Sequence, residues 1–335
     1  MNKLNITFFM RSDKSGISIG RAFRPLIKEI GKSCDTQTYY MPSENYSLIG
    51  ILKCLWFTYK HRNIHGINHV TGGCHFIILA LIGCKTVLTV HDLGFYNSPN
   101  RKDNWLKKKF LYYMQIYWPI KYATRVVAIS EKTRQEILEF VPFKRDIDIL
   151  RHHSIDEFVY TPKEIDKTDV KVLHLGTNLH KNLETTLRAV ARLNNARLTV
   201  IQQMKEPQIL LAKQLVVDYI NRWDMTDEEV IKEYQKADIV SFPTLHEGLG
   251  AITLEAQSVG RPVITTNKEP MSSVSGGAAC LINNPVDVDE LVCAFDKIIN
   301  DDDYRMSLIE RGRKNALLYT VSNCAKEHIK YYALL

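Results

Sequence analysis

Short apolar or β-branched runs alternate along this chain with longer stretches of helical period. In the first half the runs are Ile6 to Met10, Thr38 to Tyr40, Val87 to Val90 and Val126 to Ile129; in the second they are Val172 to Leu175, Leu198 to Ile201, Ile239 to Phe242 and Val263 to Thr266. Alternation of this kind predicts parallel strands joined by helical crossovers, hence an α/β fold. The charged, proline-containing stretch Ser154 to Asp169 separates the two series and reads as a linker. A chain of 335 residues is too long for one ordinary core and comfortable for two of roughly 150 to 170 residues each. We therefore expect one domain over residues 1–160, joined by the last segment from about 320 to 335, and a second over 161–319, with a cleft between them. Helix boundaries in the second half are clearly written. Thr226-Asp-Glu-Glu229 is a capping box opening a helix that ends near Lys236, and Gly260-Arg261-Pro262 closes a helix that begins near Gly250. Glu247 thus falls in a strand-to-helix loop and Glu255 on the helix behind it. Residues 301–319 and 322–335 read as two further helices.

In an open parallel sheet, ligands bind beyond the carboxyl ends of the strands, where helix N-termini offer N–H groups and a partial positive charge. The loop after Ile239 to Phe242 lies at such an end. Gly248 and Gly250 let its backbone approach a diphosphate, and the carboxylates of Glu247 and Glu255 suit the hydroxyls of a sugar or ribose. Two glutamates alone prove little. The apolar strand and Phe242-Pro243 before them, the Gly-x-Gly between them and Ala256 to Ile264 after them make the context specific.

This segment resembles the Glu-x7-Glu signature of the family 4 retaining glycosyltransferases of the GT-B fold, of the bacterial polysaccharide-assembly type. The likeness runs through most of the second domain. Leu175-Gly-Thr-Asn-Leu-His-Lys181-Asn182 is similar to the family's Gly…Lys-Asn loop, Tyr234 to Pro243 to its approach to the signature, and Val274 to Ala279 to the segment after it. The resemblance implies two Rossmann-like domains whose parallel sheets face across a cleft, with the C-terminal helix returning to the N-terminal, acceptor-binding domain. It also implies a retaining, metal-independent hexosyltransferase that carries a sugar from a nucleoside-diphosphate sugar to a hydroxyl of a glycan or lipid-linked oligosaccharide acceptor. The setting would be surface polysaccharide synthesis of the O-antigen or capsule type.

Under that resemblance Glu247 contacts the transferred sugar near its anomeric carbon, Lys181 neutralises the leaving diphosphate, and Glu255 binds the ribose. Thr177, Asn182, Gly248, Leu249, Gly250 and Ala251 complete the donor set, the last three residues through backbone amides. Gly16 stands where relatives have a glycine-rich turn near the donor phosphates. His91, followed by Asp92, resembles the family's His-Asp and is expected to contact the transferred sugar. His69 and Thr71, in His69-Val-Thr-Gly-Gly73, are similar to a turn of polysaccharide-assembly members and are expected to face the acceptor. Two departures stand out: Thr177 where many relatives have arginine, and Ser272-Ser273-Val274 where they often have Pro-Glu-Val. Both put more of the phosphate binding on Lys181 and backbone amides. Two other readings stay open, a nucleotide-sugar epimerase of the same fold and a catalytically silent nucleotide-sugar-binding subunit.

Composition changes this picture at its edges. No stretch approaches the roughly 20 uninterrupted apolar residues of a membrane-spanning helix, and the first residues lack the apolar core of a signal peptide, so a cytoplasmic location is expected. The 7 cysteines are odd in number, contain no Cys-x-x-Cys pair and read as reduced core thiols. A formal net charge of +7 suits an anionic partner. Nucleic acid is not expected. Residues 101–125 interleave Lys107, Lys108 and Lys109 with Trp105, Phe110, Tyr112, Tyr113, Tyr117 and Trp118, as a helix lying on anionic lipid does; a buried helix with a solvated basic face is the competing reading. Leu48 to Arg62 can belong to the same surface, which would place the protein peripherally on the inner face of the cell membrane. Asp146-Ile-Asp148, Asp301-Asp302-Asp303 and His152-His153 are not read as metal sites, and no cofactor is expected beyond the nucleotide sugar as co-substrate.

Overall fold

A computed structural model describes residues 3–12, 17–43, 47–93, 105–151 and 156–335. The chain forms two compact units, one comprising Met1–Ser154 with Thr320–Leu335 and the other Ile155–Tyr319.

The first unit carries strands β1 (Asn5–Met10), β2 (Asp35–Tyr40), β3 (Ile67–Val70), β4 (Lys85–Val90), β5 (Arg125–Ala128) and β6 (Ile147–Ile149). They form one six-stranded sheet in the order β2-β1-β3-β4-β5-β6, every pair parallel. Alternate side chains of a strand point to opposite faces, and both faces are covered here. Ile6, Phe8 and Met10 pack with helix α1 (Ile17–Ile30) and with Cys324 and Tyr332 of the last helix, while Phe9, Val70 and Leu88 pack with α2 (Leu48–His61) and the 3-10 segment His75–Leu81. Helices α3 (Trp105–Tyr112) and α4 (Trp118–Tyr122), joined by a π-turn at Tyr113–Tyr117, and α5 (Glu131–Phe140) complete this layer.

In the second unit β7 (Val170–Leu175), β8 (Ala196–Ile201), β9 (Tyr219–Arg222), β10 (Ile239–Phe242), β11 (Val263–Thr266) and β12 (Cys280–Ile282) form an all-parallel sheet in the order β12-β11-β10-β7-β8-β9. Its helices are α6 (Leu183–Val190), α7 (Glu206–Gln214), α8 (Asp227–Lys236), α9 (Ala251–Val259), α10 (Met271–Val274), α11 (Val288–Asn300) and α12 (Asp302–Leu317); α13 (Val321–Tyr332) belongs to the first unit. Thr226 caps α8 with both halves of the capping box in place, and Gly260, at φ +83°, closes α9.

The strand order reverses between β1 and β3 in the first sheet and between β7 and β10 in the second. At such switch points the loops leave in opposite directions and open a crevice at the carboxyl edge. In the second sheet the two flanking loops are the ones that carry Lys181 and Glu247.

Candidate active site

The loop after β7 is built around two backbone exceptions. Gly176 has φ +97°, and a Cβ placed on it would lie 2.6 Å from Cγ of Lys181. Only glycine lets the chain fold back over the lysine stem. Asn182 adopts the left-handed conformation (φ 58°, ψ 43°), which asparagine tolerates better than most residues. Its Nδ2 donates to the carbonyls of Pro243 (3.0 Å) and Pro285 (2.6 Å), and its Oδ1 accepts from Thr185 Oγ1 at 2.8 Å. Asn182 therefore braces the lysine loop to the start of the glutamate loop. Thr177 is buried and serves a similar purpose: its hydroxyl donates to Gln203 O (2.8 Å), its N–H to Gln202 Oε1 (3.0 Å), and its carbonyl accepts from Gln208 Nε2 (2.9 Å).

Beneath the loop His174 shares hydrogen bonds with Thr186 Oγ1 (3.1 Å) and the Gly176 carbonyl (3.1 Å), and Thr186 continues to Ser241 on β10 (3.0 Å). Burial, opposed by the bond to Gly176 and reinforced by the Lys181 charge, pushes the His174 pKa down to about 4, so the ring is neutral near pH 7.

The two switch-point loops meet in one ion pair. Lys181 Nζ lies 2.6 Å from Glu247 Oε1, with the side chains 18% and 15% exposed, and the ammonium stands 5.0 Å from the centre of the Phe242 ring. Thr244, fully buried, fixes the arrangement: its hydroxyl lies 2.9 Å from His180 O and 3.2 Å from Glu247 Oε1. The Leu245 N–H also donates to His180 O, at 2.8 Å. A cation held by a carboxylate in a half-open crevice is placed to turn toward an incoming anion, leaving the carboxylate beside whatever that anion carries.

Behind the pair, α9 starts at Gly250 (φ +84°) with no side-chain cap, so Leu249, Gly250 and Ala251 form the uncapped N-terminal turn, and Gly248 precedes it in the loop. Glu255 lies one turn further on. Tyr234 of α8, fully buried and edge-on to Phe158 with ring centres 5.5 Å apart, donates its phenol to Glu255 Oε2 at 2.6 Å. Burial and the Glu255 charge hold that phenol well above its usual pKa, so it stays protonated and donates to the carboxylate. The buried guanidinium of Arg261 grips the carbonyls of Tyr234 (3.1 Å), Gln235 (2.8 Å) and Thr161 (2.9 Å), anchoring the end of α8 where the helix carries partial negative charge. On the neighbouring loop Glu269 Oε1 accepts the hydroxyls of Ser272 (2.6 Å) and Ser273 (2.5 Å). Tyr234, Thr244 and Glu269 escape a motif-based reading, because each acts through a partner in another loop or helix, or through residues that the motif treats as lost.

In the first unit the picture is different. His91, partly exposed just past β4, has its Nε2 2.8 Å from the Thr71 carbonyl, and Thr133 Oγ1 donates to the His91 carbonyl at 3.0 Å. Burial of the ring lowers its pKa, with the Thr71 bond and Asp92 opposing; a neutral ring donating from Nε2 keeps Nδ1 as an acceptor. His69 and Thr71 require correction as acceptor-facing residues. His69 is fully buried, with Nδ1 2.6 Å from Tyr332 Oη of α13 and Nε2 2.8 Å from Thr89 Oγ1, so both nitrogens are occupied inside the core. Thr71 is equally buried and its hydroxyl donates to Phe9 O at 3.2 Å. What they do is hold α13 to the sheet and support His91. Gly16 lies outside the described residues. Asp148 Oδ2 accepts from Tyr331 Oη at 2.6 Å and so serves packing. Among the described residues no group of His, Cys, Asp and Glu is arranged to hold a metal ion.

Comparison with known proteins gives four findings. The family model described as "Glycosyl transferases group 1" matches residues 158–315. The O-antigen chain mannosyltransferase B of Escherichia coli is 25% identical over 280 residues, covering 75% of this chain and 71% of that protein. The D-inositol 3-phosphate glycosyltransferase of Corynebacterium urealyticum is 32% identical over 109 residues, a match that spans 32% of this chain and only 26% of that relative. Among solved structures, Anabaena HepE in complex with UDP and glucose superposes with a TM-score of 0.74 at 12% identity, covering 99% of this chain and 100% of that one, a likeness of fold.

Proposed function

This chain belongs to the group 1 glycosyltransferases of the GT-B fold, and we propose on that footing that it transfers a hexose from a nucleoside-diphosphate sugar to a hydroxyl of a glycan or lipid-linked oligosaccharide. The observation that carries this reading is the Lys181–Glu247 pair at 2.6 Å, held at the switch point of the second sheet beside the uncapped N-terminus of α9. Breaking the bond between the anomeric carbon and the diphosphate leaves the electron pair on phosphate oxygen. The Lys181 ammonium and the first amides of α9 stabilise that charge, and such preorganised donors need no rearrangement as the charge develops. Glu247, released from the lysine, lies against the sugar; Glu255 takes the ribose hydroxyls. The acceptor oxygen bonds to the anomeric carbon with retention of configuration and passes its proton to the departing diphosphate oxygen. For His91, neutral and with Nδ1 an acceptor, the role we propose is a contact to the transferred sugar.

Mannose is the first sugar to test, because a mannosyltransferase matches three quarters of this chain. The setting we assign is surface polysaccharide synthesis on the cytoplasmic side of the membrane. The test is a transfer assay with UDP-, GDP- and dTDP-hexoses and a panel of lipid-linked glycan acceptors, run on wild type, Glu247→Ala and Lys181→Ala. Loss of a preorganised donor at developing charge costs about 10²- to 10³-fold in turnover. Either variant turning over at the wild-type rate removes that residue from the reaction. Nucleotide binding with no turnover of any donor points to a silent binding subunit, and donor consumption that ignores acceptor points to an epimerase.

A further inference from the structure

Helix α2 exposes its apolar side. Leu48, Ile49, Leu52, Trp56 and Tyr59 are between 58% and 72% exposed, and at helical period they fall within an arc of about 100°. Gly50, Ile51, Cys54 and Thr58 on the opposite side are buried. Lys53 and Lys60 border the exposed stripe along one edge. Lys60 Nζ stands 5.3 Å over the Trp56 ring, and the Arg62 guanidinium 3.4 Å over Tyr59.

Helix α3 repeats the chemistry. Its first six residues, Trp105 to Phe110, are all exposed and comprise three lysines among Trp105, Leu106 and Phe110; Lys109 Nζ lies 5.1 Å over the Trp105 ring. The two helices stand on one face of the first sheet. α2 packs on the His75–Leu81 segment, and that segment packs on the π-turn and α4 that continue α3. No Asp or Glu occurs from residue 45 to 91 or from 104 to 130, a span that holds nine Lys and Arg. Of the chain's 4 tryptophans, Trp56, Trp105 and Trp118 lie on this layer and all three are exposed.

We propose that α2 and α3 form a membrane-docking surface, with the α2 stripe and the aromatic residues of α3 seated at the boundary between headgroups and acyl chains and the surrounding Lys and Arg on the headgroups of an anionic phospholipid bilayer. An apolar stripe edged by cations that rest on aromatic rings matches a surface that is apolar in depth and negative at its rim. A second copy of this chain does not match, because pairing the face with itself brings Lys53, Lys60, Lys107, Lys108 and Lys109 against their own copies, with no Asp or Glu on α2 or α3 to offset them. The inference is independent of the transfer chemistry.

The experiment is flotation of the full chain with vesicles of phosphatidylcholine alone and of phosphatidylcholine mixed with phosphatidylglycerol, with tryptophan emission recorded alongside. Wild type is expected to float with the mixed vesicles, to lose that binding as salt rises, and to shift its emission to shorter wavelength. Lys107→Gln/Lys108→Gln/Lys109→Gln weakens binding by about fivefold per cation removed. Leu52→Ser/Trp56→Ser, confined to exposed positions, weakens it by at least about tenfold. A melting-temperature shift on adding UDP or GDP, equal in wild type and variants, verifies that the variants are folded. The proposal is overturned if wild type floats with neither vesicle, if Leu52→Ser/Trp56→Ser floats like wild type, or if wild type is a stable dimer that this variant converts to monomer.

Discussion

Replacing Tyr234 by Phe removes one oxygen from the interior and is expected to weaken donor binding without dismantling the fold. The ring stays edge-on to Phe158, so the packing term is unchanged. What is lost is a 2.6 Å hydrogen bond to a carboxylate, and bonds to charged groups contribute about 1.5–3 kcal/mol. Glu255 is partly exposed and water can replace the phenol, so the stability loss falls below that range, at about 1 kcal/mol. The carboxylate then regains rotamer freedom, which it surrenders again when the ribose binds. Immobilising such a side chain costs about 0.5–1.5 kcal/mol, a roughly two- to tenfold loss of nucleotide affinity. Calorimetric titration with UDP and GDP measures that loss, and thermal melting without nucleotide measures stability. A cycle of Tyr234→Phe, Glu255→Ala and the double variant isolates the coupling. The positioning role is refuted if Tyr234→Phe lowers the melting temperature yet binds nucleotide as wild type does, or if the two single changes add in the double variant.

Gly176→Ala places a methyl 2.6 Å from Lys181 Cγ at a φ of +97° that side chains rarely adopt. It should displace the lysine and cost about 1–3 kcal/mol of stability together with most of the turnover; a fully active, equally stable variant, tested by denaturant unfolding and the transfer assay, contradicts the loop geometry. A second expectation concerns acid. His75, His174 and His328 are buried and held at about 4, and His69 is held well below its usual value. The folded protein keeps these rings neutral while the unfolded chain protonates them near pH 6.5, so stability is intact above that pH and falls as pH drops toward 4. A displacement from 6.5 to about 4 corresponds to about 3 kcal/mol per ring, so three such rings approach the whole stability of a typical domain, about 5–15 kcal/mol. Denaturant midpoints that are flat between about pH 7 and about pH 5 would contradict this.

The carboxyl edge that carries Glu247 is legible in the sequence because its signals are local. A strand, a Gly-x-Gly turn and a helix follow one another from Ile239 to Gly260, and cap residues mark their ends. The apolar runs read from the sequence omit β3, β6, β9 and β12, and the last three of these are sheet edges. Edge strands are short and half-solvated, and their hydrophobic pattern is correspondingly weak. The error over His69 has a related cause. In a strand covered on both faces, alternation does not say which side meets solvent, and the partners that satisfy His69 come from Thr89 and from Tyr332 at the far end of the chain.

The two departures from the family pattern sharpen the point. Thr177, in the place of an arginine, is a buried anchor whose hydroxyl, N–H and carbonyl are all used within the second unit. Ser272 and Ser273, in the place of Pro-Glu, both donate to Glu269, so a carboxylate still stands at the first turn of α10, delivered from the preceding loop rather than from the helix. A column-by-column comparison counts that position as a lost charge. The structure shows a charge relocated by a few residues of chain, with the two hydroxyls holding it in place. The altered sequence at 272–273 therefore gives no ground for calling the site degenerate, and the case for activity returns to the Lys181–Glu247 pair, where both charged groups are present and in contact.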